Sequence, residues 1–162
     1  MPSPITLGFL RARGASYDTV SHAEAFTAQQ TAAAAHVAGR ALAKTVMVKI
    51  DSRLAMVVVP STCRVDLESV REACGAQEAQ LATEDEFRFR FPDCDLGAMP
   101  PLGNLYDLPV YVCRGMASNT DIYFNGGSHT QLVRISFDEF VELAKPTLIE
   151  VACGAAEPRC QQ

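Results

Sequence analysis

The feature that most constrains the fold is a pair of apolar segments that are close neighbours along the chain. In residues 46–50 a β-branched apolar side chain occupies every second position, and residues 54–59 are a continuous apolar run that Pro60 ends. Only the link 51–53 (Asp-Ser-Arg) separates the two segments. Alternation and short apolar runs are typical of β-strands, and so short a link joins strands as a hairpin. The sequence therefore predicts a hairpin, the most apolar of the chain.

Helices are predicted around this hairpin from their end signals. In a capping box, a Ser or Thr and a Glu or Gln three positions later each satisfy a backbone N–H of the other. The chain has this spacing three times, at Thr27 and Gln30, at Thr83 and Glu86, and at Ser136 and Glu139. Gly39 is expected to end the alanine-rich helix that follows Thr27, because glycine readily adopts the left-handed conformation of a helix end.

Strand segments outnumber helices in this prediction. Beside the hairpin, strands are expected at 109–113, 121–124, 130–135 and 148–151. Hairpin links between several of them favour a mixed, mostly antiparallel sheet flanked by helices over a doubly wound parallel sheet. The predicted fold class is therefore α/β of the α+β type. We expect one domain over residues 1–151 and a flexible tail over residues 152–162, because that tail is small, polar and aperiodic.

Composition excludes several classes of function. The 162 residues include 14 Lys and Arg against 19 Asp and Glu, a formal net charge of −5, so no broad basic face for DNA is expected. No apolar run approaches the roughly 20 residues that span a bilayer, and the N-terminus lacks the pattern of a secretory signal. We therefore expect a cytoplasmic protein without a membrane partner.

The six cysteines and three histidines form no metal-site pattern. No two cysteines have Cys-x-x-Cys spacing and the histidines lie far apart, so neither a metal nor another cofactor is expected. In a reducing cytosol the cysteines are expected as free thiols rather than as disulfides. The motifs of phosphate-binding loops, dinucleotide sites, zinc proteases and serine hydrolases do not occur in the chain. Three other features remain as candidates for a functional site.

The first feature is Lys44, which stands at the entrance to the apolar hairpin. A lysine at a strand end can simply extend its ammonium to water along an apolar surface. Alternatively, a partly desolvated ammonium can point into a pocket, where it holds an anion or polarises a carbonyl. Both interpretations are open from the residue alone.

The second feature is the segment 97–103, which contains two glycines and two prolines in seven residues. This density excludes a helix or a central strand and predicts a stiff loop. Such a loop either connects two elements or presents its backbone N–H groups to a ligand oxygen, as an oxyanion hole does, with glycine allowing close approach.

The third feature is the turn Asn125-Gly126-Gly127-Ser128-His129. Asn-Gly is common at hairpin tips, where the histidine would simply be solvated. The amide, hydroxyl and imidazole groups at one strand end also suit the wall of a pocket. By their chemistry alone, the three features predict a small pocket for a polar or acyl ligand.

These segments together resemble the YbaK family of free-standing proteins, which is related to the editing domain of bacterial prolyl-tRNA synthetase. The matching motifs are, in chain order, Thr27-Ala28-Gln29, Ala43-Lys44-Thr45-Val46, residues 97–103 and Phe124-Asn125-Gly126-Gly127-Ser128-His129. The resemblance spans roughly residues 17–151. It implies one α/β domain with a mixed, curved sheet. It also implies an aminoacyl-tRNA deacylase, which hydrolyses the ester between a wrong amino acid and the 3′ end of a tRNA.

The resemblance also implies which residues form the site. Lys44 and Gly97 are the expected catalytic residues: the ammonium holds the terminal phosphate or the acyl group, and the backbone from Gly97 to Ala98 contacts the carbonyl oxygen or the attacking water. The expected substrate-binding residues are Thr45, Ala98, Met99, Pro101, Gly103, Gly126, Gly127, Ser128 and His129. Pro100 departs from the family pattern and would narrow the pocket. The turn also differs from the Gly-Gly-Lys type of cysteinyl-tRNA-editing members, so no amino-acid specificity is implied.

The expected partner is the acceptor end of an aminoacyl-tRNA. Because the chain is acidic, we expect help from an aminoacyl-tRNA synthetase or an elongation factor. Two alternatives stay open. One is a non-catalytic regulatory module that binds aminoacyl-adenosine or tRNA. The other is hydrolysis of another small acyl ester through Cys63, Cys74, Cys94 or Cys113, although no cysteine lies in the matching motifs.

Overall fold

The computed structural model describes residues 4–95 and 97–151, together with the backbone of residues 153–155. The α-helices of this part are α1 (Pro4–Ala12), α2 (Ala28–Ala35), α3 (Leu67–Cys74), α4 (Glu84–Phe87) and α5 (Phe137–Ala144). Its strands are β1 (Tyr17–Ser21), β2 (Ala43–Ile50), β3 (Arg53–Pro60), β4 (Cys63–Val65), β5 (Ala79–Leu81), β6 (Val110–Cys113), β7 (Asp121–Asn125), β8 (Gln131–Ser136), β9 (Thr147–Ile149) and β10 (Cys153–Ala155). None of the described helices is long and apolar enough to cross a membrane.

The predicted apolar hairpin is confirmed as β2 and β3. The strands pair antiparallel over their whole length, from Ala43 opposite Pro60 to Ile50 opposite Arg53. The turn consists of Asp51 and Ser52, whose φ angles are 49° and 69°. Two successive residues with positive φ make a turn whose twist matches the right-handed twist of the strands. Arg53 is therefore part of β3 rather than of the link.

The strands of the described residues form three sheets, ordered β5-β2-β3-β6-β9, β1-β8-β7 and β10-β4. β6 runs parallel to both β3 and β9, and the remaining ladders are antiparallel. This mixed arrangement confirms the predicted fold class. β3 lies at the centre of the core, and its residues 56–59 are fully buried. One face of its sheet packs against β7 and α5, and the other packs against α3.

One edge of β2 is only partly covered. β5 pairs with β2 over residues 48–50, and the Ala82 N–H donates to the Met47 carbonyl at 3.0 Å. Nearer the start of β2, Leu42 forms a parallel bridge with Tyr123 of β7. The edge of β2 between these two contacts therefore faces the space between β5 and β7. This space is the location of the candidate site.

The expected end of the alanine-rich helix is wrong. α2 ends at Ala35, and His36 adopts the left-handed conformation with φ 57°, donating its N–H to the Ala33 carbonyl. Gly39 instead begins a short 3-10 turn. A Cβ at Gly39 would lie 2.7 Å from the Thr62 side chain, so glycine is needed there for close packing. Local pattern does not reveal such an approach between distant segments.

The predicted flexible tail begins with a strand. The backbone of Cys153–Ala155 forms β10, which pairs antiparallel with β4. Residue 152 and residues 156–162 lie outside the described residues. The return of the chain to β4 is a long-range contact, so the small and polar composition of this segment did not predict it.

The expectation of free thiols is wrong for Cys63. Cys63 in β4 is disulfide-bonded. Cys74, Cys94 and Cys113 carry free thiols, as expected. β4, which contains Cys63, pairs with β10 near the other end of the chain. Cellular compartment and cysteine spacing, on which the free thiols were predicted, do not reveal such a long-range contact.

Candidate active site

A cavity of about 300 Å³ lies at the uncovered edge of β2. Its lining residues are Phe26, Thr27, Ala28, Leu42, Ala43, Lys44, Thr45, Val46, Met47, Leu81, Ala82, Glu84, Phe87, Gly97, Met99 and Asn125. Four of them, Lys44, Thr45, Gly97 and Met99, are residues that the sequence predicted for the site. A volume at the lower end of the range for ligand sites suits a small ligand or the end of a larger one.

The edge of β2 presents backbone groups to this cavity. Along a strand, successive residues direct their N–H and C=O groups to opposite sides. Met47 directs its carbonyl to Ala82 of the β5 side, so Thr45, two residues earlier, directs its N–H and C=O to the same side. Because β5 pairs only with residues 48–50, the backbone of Thr45 faces the cavity. The prediction named Thr45, but only the sheet order shows that its main chain points here.

Lys44 is half-buried, and its Nζ donates to the Cys63 carbonyl at 2.8 Å. It is the one basic side chain among the described residues that line the cavity. The hydrogen bond to Cys63 holds the ammonium against β4 rather than in open solvent. The ammonium is therefore not simply extended into water, and its role in binding or catalysis stays a prediction.

Lys49 follows Lys44 in β2 by an odd number of residues. Successive side chains of a strand point to opposite faces, so the Lys49 and Lys44 side chains lie on opposite faces of β2. Its Nζ forms a salt bridge with Glu86 Oε2 at 2.6 Å. The hydrogen bond from Lys49, together with one from the Thr83 backbone, lowers the pKa of Glu86 to about 2. The two lysines of β2 therefore have separate surroundings, one at the cavity and one against α4.

The cavity end of the proline-rich loop is Gly97. Its φ is 87°, a conformation that favours glycine, and its N–H contacts the Met99 sulfur at 3.3 Å. Sulfur is a weak acceptor, so a ligand oxygen can replace it. Ala98, in contrast, is fully buried and donates its N–H to the Asp95 carbonyl at 3.0 Å. The expected pair of backbone donors is therefore reduced to Gly97.

The other end of the loop belongs to the core. Pro101 and Gly103 are buried and are not among the cavity-lining residues. A Cβ at Gly103 would lie 2.3 Å from the Leu108 carbonyl oxygen and 2.6 Å from Val110 Cγ2. Packing against the start of β6 thus explains this glycine. Substrate binding by Pro101 or Gly103 stays a prediction.

The turn after β7 and the loop form one unit, because Asp95 joins them. The Asp95 N–H donates to the Gly127 carbonyl at 2.7 Å, and the His129 N–H donates to Asp95 Oδ2 at 3.3 Å. Gly126 and Gly127 are buried, and Ser128 Oγ lies 3.5 Å from Thr130 Oγ1. Asp95 was not predicted, because a lone aspartate beside a loop carries no local signal of a contact over 30 residues away.

His129 lies one layer behind the cavity. Its ring centroid is 4.8 Å from that of Phe26, which does line the cavity. A Cβ at Gly97 would lie 3.6 Å from His129 Cε1. His129 therefore packs between the loop and the cavity wall rather than forming the wall itself.

Asn125 is a lining residue that the sequence marked only as part of a turn. Its side-chain oxygen Oδ1 is buried and has no hydrogen-bond partner in the structure. A buried acceptor without a partner costs about 1–3 kcal/mol, and native proteins satisfy nearly all such groups. The Asn125 oxygen is therefore available to accept a hydrogen bond from a ligand in the cavity.

Cysteine chemistry is disfavoured by the surroundings of Cys94, the cysteine nearest to the loop. Its Sγ lies 3.4 Å from the Tyr106 hydroxyl, which donates to Asp93 Oδ2 at 3.0 Å. Burial raises the pKa of the Cys94 thiol to about 11. Since the thiolate is the reactive form, this raised pKa disfavours Cys94 as a nucleophile at neutral pH. No group of three or more potential metal ligands occurs among the described residues.

Comparison with known proteins agrees with the motifs. The family model of the aminoacyl-tRNA editing domain matches residues 22–143, which is most of the chain. No curated protein is matched. One similar solved structure is that of a candidate trans-editing enzyme for prolyl-tRNA synthetase, at 22% identity, with a TM-score of 0.80 and coverage of 95% of this chain and 100% of that chain. Another is a hypothetical protein at 23% identity, with a TM-score of 0.79 and coverage of 91% and 98%.

A third similar structure comes from the computational grafting of epitopes on scaffold proteins, at 20% identity, with a TM-score of 0.81 and coverage of 94% and 97%. At these identities the structural likeness shows the fold alone. The family model supplies the family, because it extends from residue 22, just after β1, through most of α5 and includes every residue that lines the cavity. The chain belongs to the aminoacyl-tRNA editing domain family, the YbaK family.

Proposed function

We propose that this protein is an aminoacyl-tRNA deacylase that acts in trans on mischarged tRNA. The observation that carries the proposal is the cavity at the edge of β2, where Lys44, Thr45 and Gly97 line one space of about 300 Å³. These residues stand in segments that resemble the family, and the family is one of aminoacyl-tRNA editing domains. The similarity to a candidate trans-editing enzyme supports action on a tRNA that another enzyme has mischarged.

In this proposal hydrolysis depends on orientation and on charge stabilisation. The oxygen of a water molecule bonds to the acyl carbon, the carbonyl oxygen gains negative charge, and the bond to the ribose oxygen then breaks. The proton released by the water goes to the departing ribose oxygen. The backbone N–H groups of Gly97 and Thr45, with the Lys44 ammonium beside them, stabilise the charged oxygen.

A covalent catalyst is not part of this mechanism. The described lining residues include neither cysteine nor histidine. An aminoacyl ester is already reactive, so holding it in the right geometry beside water supplies much of the acceleration. The role of the protein is then to orient the ester and to provide donors where negative charge develops.

The cavity is expected to select by size. Met47, Phe87 and Met99 supply apolar lining. Each methylene in such a pocket changes discrimination by about 1–3 kcal/mol, so large side chains are excluded more strongly than small ones are distinguished. Because the chain carries a net charge of −5, only the acceptor end is held, and a synthetase or an elongation factor in the cytoplasm holds the rest of the tRNA.

The test is hydrolysis of a panel of correctly charged and mischarged aminoacyl-tRNAs by the purified protein. We expect at least one tRNA that carries a small wrong amino acid to lose its label much faster than in buffer. Correctly paired large amino acids should be retained. If every ester stays intact while the tRNA binds, the regulatory binding module replaces the deacylase.

A further inference from the structure

The mouth of the cavity has exposed apolar side chains that the chemistry of the ester does not use. The exposed large hydrophobic residues of the described chain are Ile5, Phe26, Leu81 and Phe89. Two of them line the cavity: Phe26, which is 63% exposed, and Leu81, which is 50% exposed. Single exposed apolar residues are ordinary, but two on the rim of one cavity indicate a ligand surface.

Folding does not explain Phe26. It directly precedes Thr27, the N-cap of α2, and an apolar residue at this position often packs against the fourth residue of the helix. Here that fourth residue is Thr31, which is buried and donates its hydroxyl to the Thr27 carbonyl at 2.9 Å. Phe26 thus lacks the apolar partner that would make it a helix-start contact, and its ring stays exposed.

The ring of Phe26 is nevertheless held in place. The His129 ring lies 4.8 Å away, tilted by 58°, and His129 is tied to Asp95 by a backbone hydrogen bond of 3.3 Å. An aromatic ring that is supported from behind and exposed in front is a stacking surface. Every nucleic-acid base has a face that stacks on such a ring.

The size of the cavity decides which part of the substrate meets Phe26. A volume of about 300 Å³ is at the lower end for ligand sites and leaves little room for a base once an acyl group and a ribose are inside. With the acyl group at Gly97 and Lys44, the base lies at the mouth. Stacking also supplies affinity that a chain of net charge −5 does not gain from phosphates.

We propose that Phe26 and Leu81 form a binding site for the purine base of the terminal adenosine, which stacks on the Phe26 ring while Leu81 covers its edge. Glu84, the exposed carboxylate of the lining, can accept a hydrogen bond from the adenine amino group. His129 is then a positioning residue, because it acts through the Phe26 ring. This inference rests on the proposed function for the identity of the substrate.

The test measures binding rather than turnover. The first ligand is 3′-alanylamino-3′-deoxyadenosine, whose amide resists hydrolysis, and the second is the same compound with a methoxy group in place of the base. We expect the full chain to bind the first about 5- to 100-fold more tightly by calorimetry. Phe26→Ala should bring the ratio of the two dissociation constants close to one without weakening the binding of the second ligand. Phe26→Trp should preserve the ratio, and Leu81→Ala should reduce it in part.

Phe89→Ala is the matched control, since Phe89 is 73% exposed and is not a lining residue. Its ratio should equal that of the wild type. An unchanged ratio in Phe26→Ala, or equal weakening of both ligands, would overturn the inference, as would failure of the wild type to prefer the first ligand. Base-dependent binding without hydrolysis of any aminoacyl-tRNA would instead sink the deacylase proposal and leave the base site intact.

Discussion

The two glycines at the ends of the proline-rich loop have the same residue type and opposite surroundings. Gly97 is exposed, has φ 87° and lines the cavity. Gly103 is buried, and a Cβ there would meet the backbone of Leu108 at 2.3 Å. Glycine at 97 allows a positive φ beside the cavity, and glycine at 103 allows close packing against the backbone of Leu108. Changes at the cavity end should therefore alter turnover, and changes at the core end should alter folding.

Gly103→Ala should have the largest effect, on stability. The Leu108 carbonyl is backbone and cannot rotate away, so the loop or the start of β6 must move. Overpacking of a core costs about 1–3 kcal/mol and more where the backbone shifts, so we expect a loss of about 3 kcal/mol or more in urea unfolding. Gly115→Ala is the control, since its Cβ would make an ordinary 3.7 Å contact with Cys113 Sγ. Equal, small losses in both would contradict the packing role of Gly103.

Lys44→Ala should have the largest effect on turnover. A charge that stabilises a developing oxyanion is worth about 2–4 kcal/mol, which is roughly 30- to 1000-fold in the single-turnover rate. Loss of the bond to the Cys63 carbonyl should lower stability by only about 1 kcal/mol. Lys44→Arg should restore part of the rate, because a planar guanidinium does not replace a compact ammonium.

Lys49→Ala is the matched control for Lys44, because it removes a lysine from the other face of the same strand. It breaks the salt bridge with Glu86 and should leave single-turnover hydrolysis within about twofold of the wild type. Comparable losses of rate for the two alanine variants would remove Lys44 from the site. So would a Lys44→Ala protein that simply unfolds.

Gly97→Val should reduce turnover by about tenfold or more. Valine disfavours a φ of 87°, so the N–H of residue 97 would leave its position at the cavity. Stability should fall by about 1–2 kcal/mol, the usual cost of a side chain in the left-handed region. Single-turnover hydrolysis and thermal unfolding, measured together, separate the two effects. Near-normal hydrolysis in a folded Gly97→Val protein would rule out the N–H of Gly97 as an oxyanion donor.

The smallest effect is expected from acid titration of the Lys49–Glu86 pair. The pKa of Glu86 is lowered from 4.5 to about 2 by the hydrogen bond from Lys49. Because the folded pKa is the lower one, the pair stabilises the fold above about pH 4.5, and this contribution is lost as the pH falls towards 2. Urea unfolding of the wild type should weaken more steeply over this range than that of Glu86→Gln. Parallel pH profiles would show that the pair contributes nothing measurable.

The elements that the sequence predicted well are those with local causes. The β2–β3 hairpin follows from alternation and a short link, and the N-terminus of α5 follows from Ser136, whose hydroxyl accepts the Glu139 N–H at 3.1 Å. The end of α2 was wrong, because His36 takes the left-handed position and Gly39 is needed against Thr62. Contacts between distant segments decide such positions.

The candidate site also contains residues that the sequence predicted and residues that it did not. The resemblance of the motifs identified Lys44, Thr45, Gly97 and Met99, which line one cavity. It did not identify Phe26 or Leu81 at the mouth, since an exposed apolar residue looks ordinary until its neighbours are known. Asp95 was missed for the same reason, because its partners in the turn after β7 are more than 30 residues away.

By itself, the amino-acid sequence determined the β2–β3 hairpin, the capped starts of helices, the family and the residue types available for chemistry, since these depend on periodicity, end signals and motif order. Only the tertiary structure decided that β5 pairs with residues 48–50 of β2 and leaves the backbone of Thr45 uncovered. It also decided that Asp95 joins the loop to the turn and that Cys63 is disulfide-bonded. The physical reason is that a cavity is bounded by the ends of strands and loops. Their spacing depends on how whole sheets pack, which no local pattern of side chains encodes.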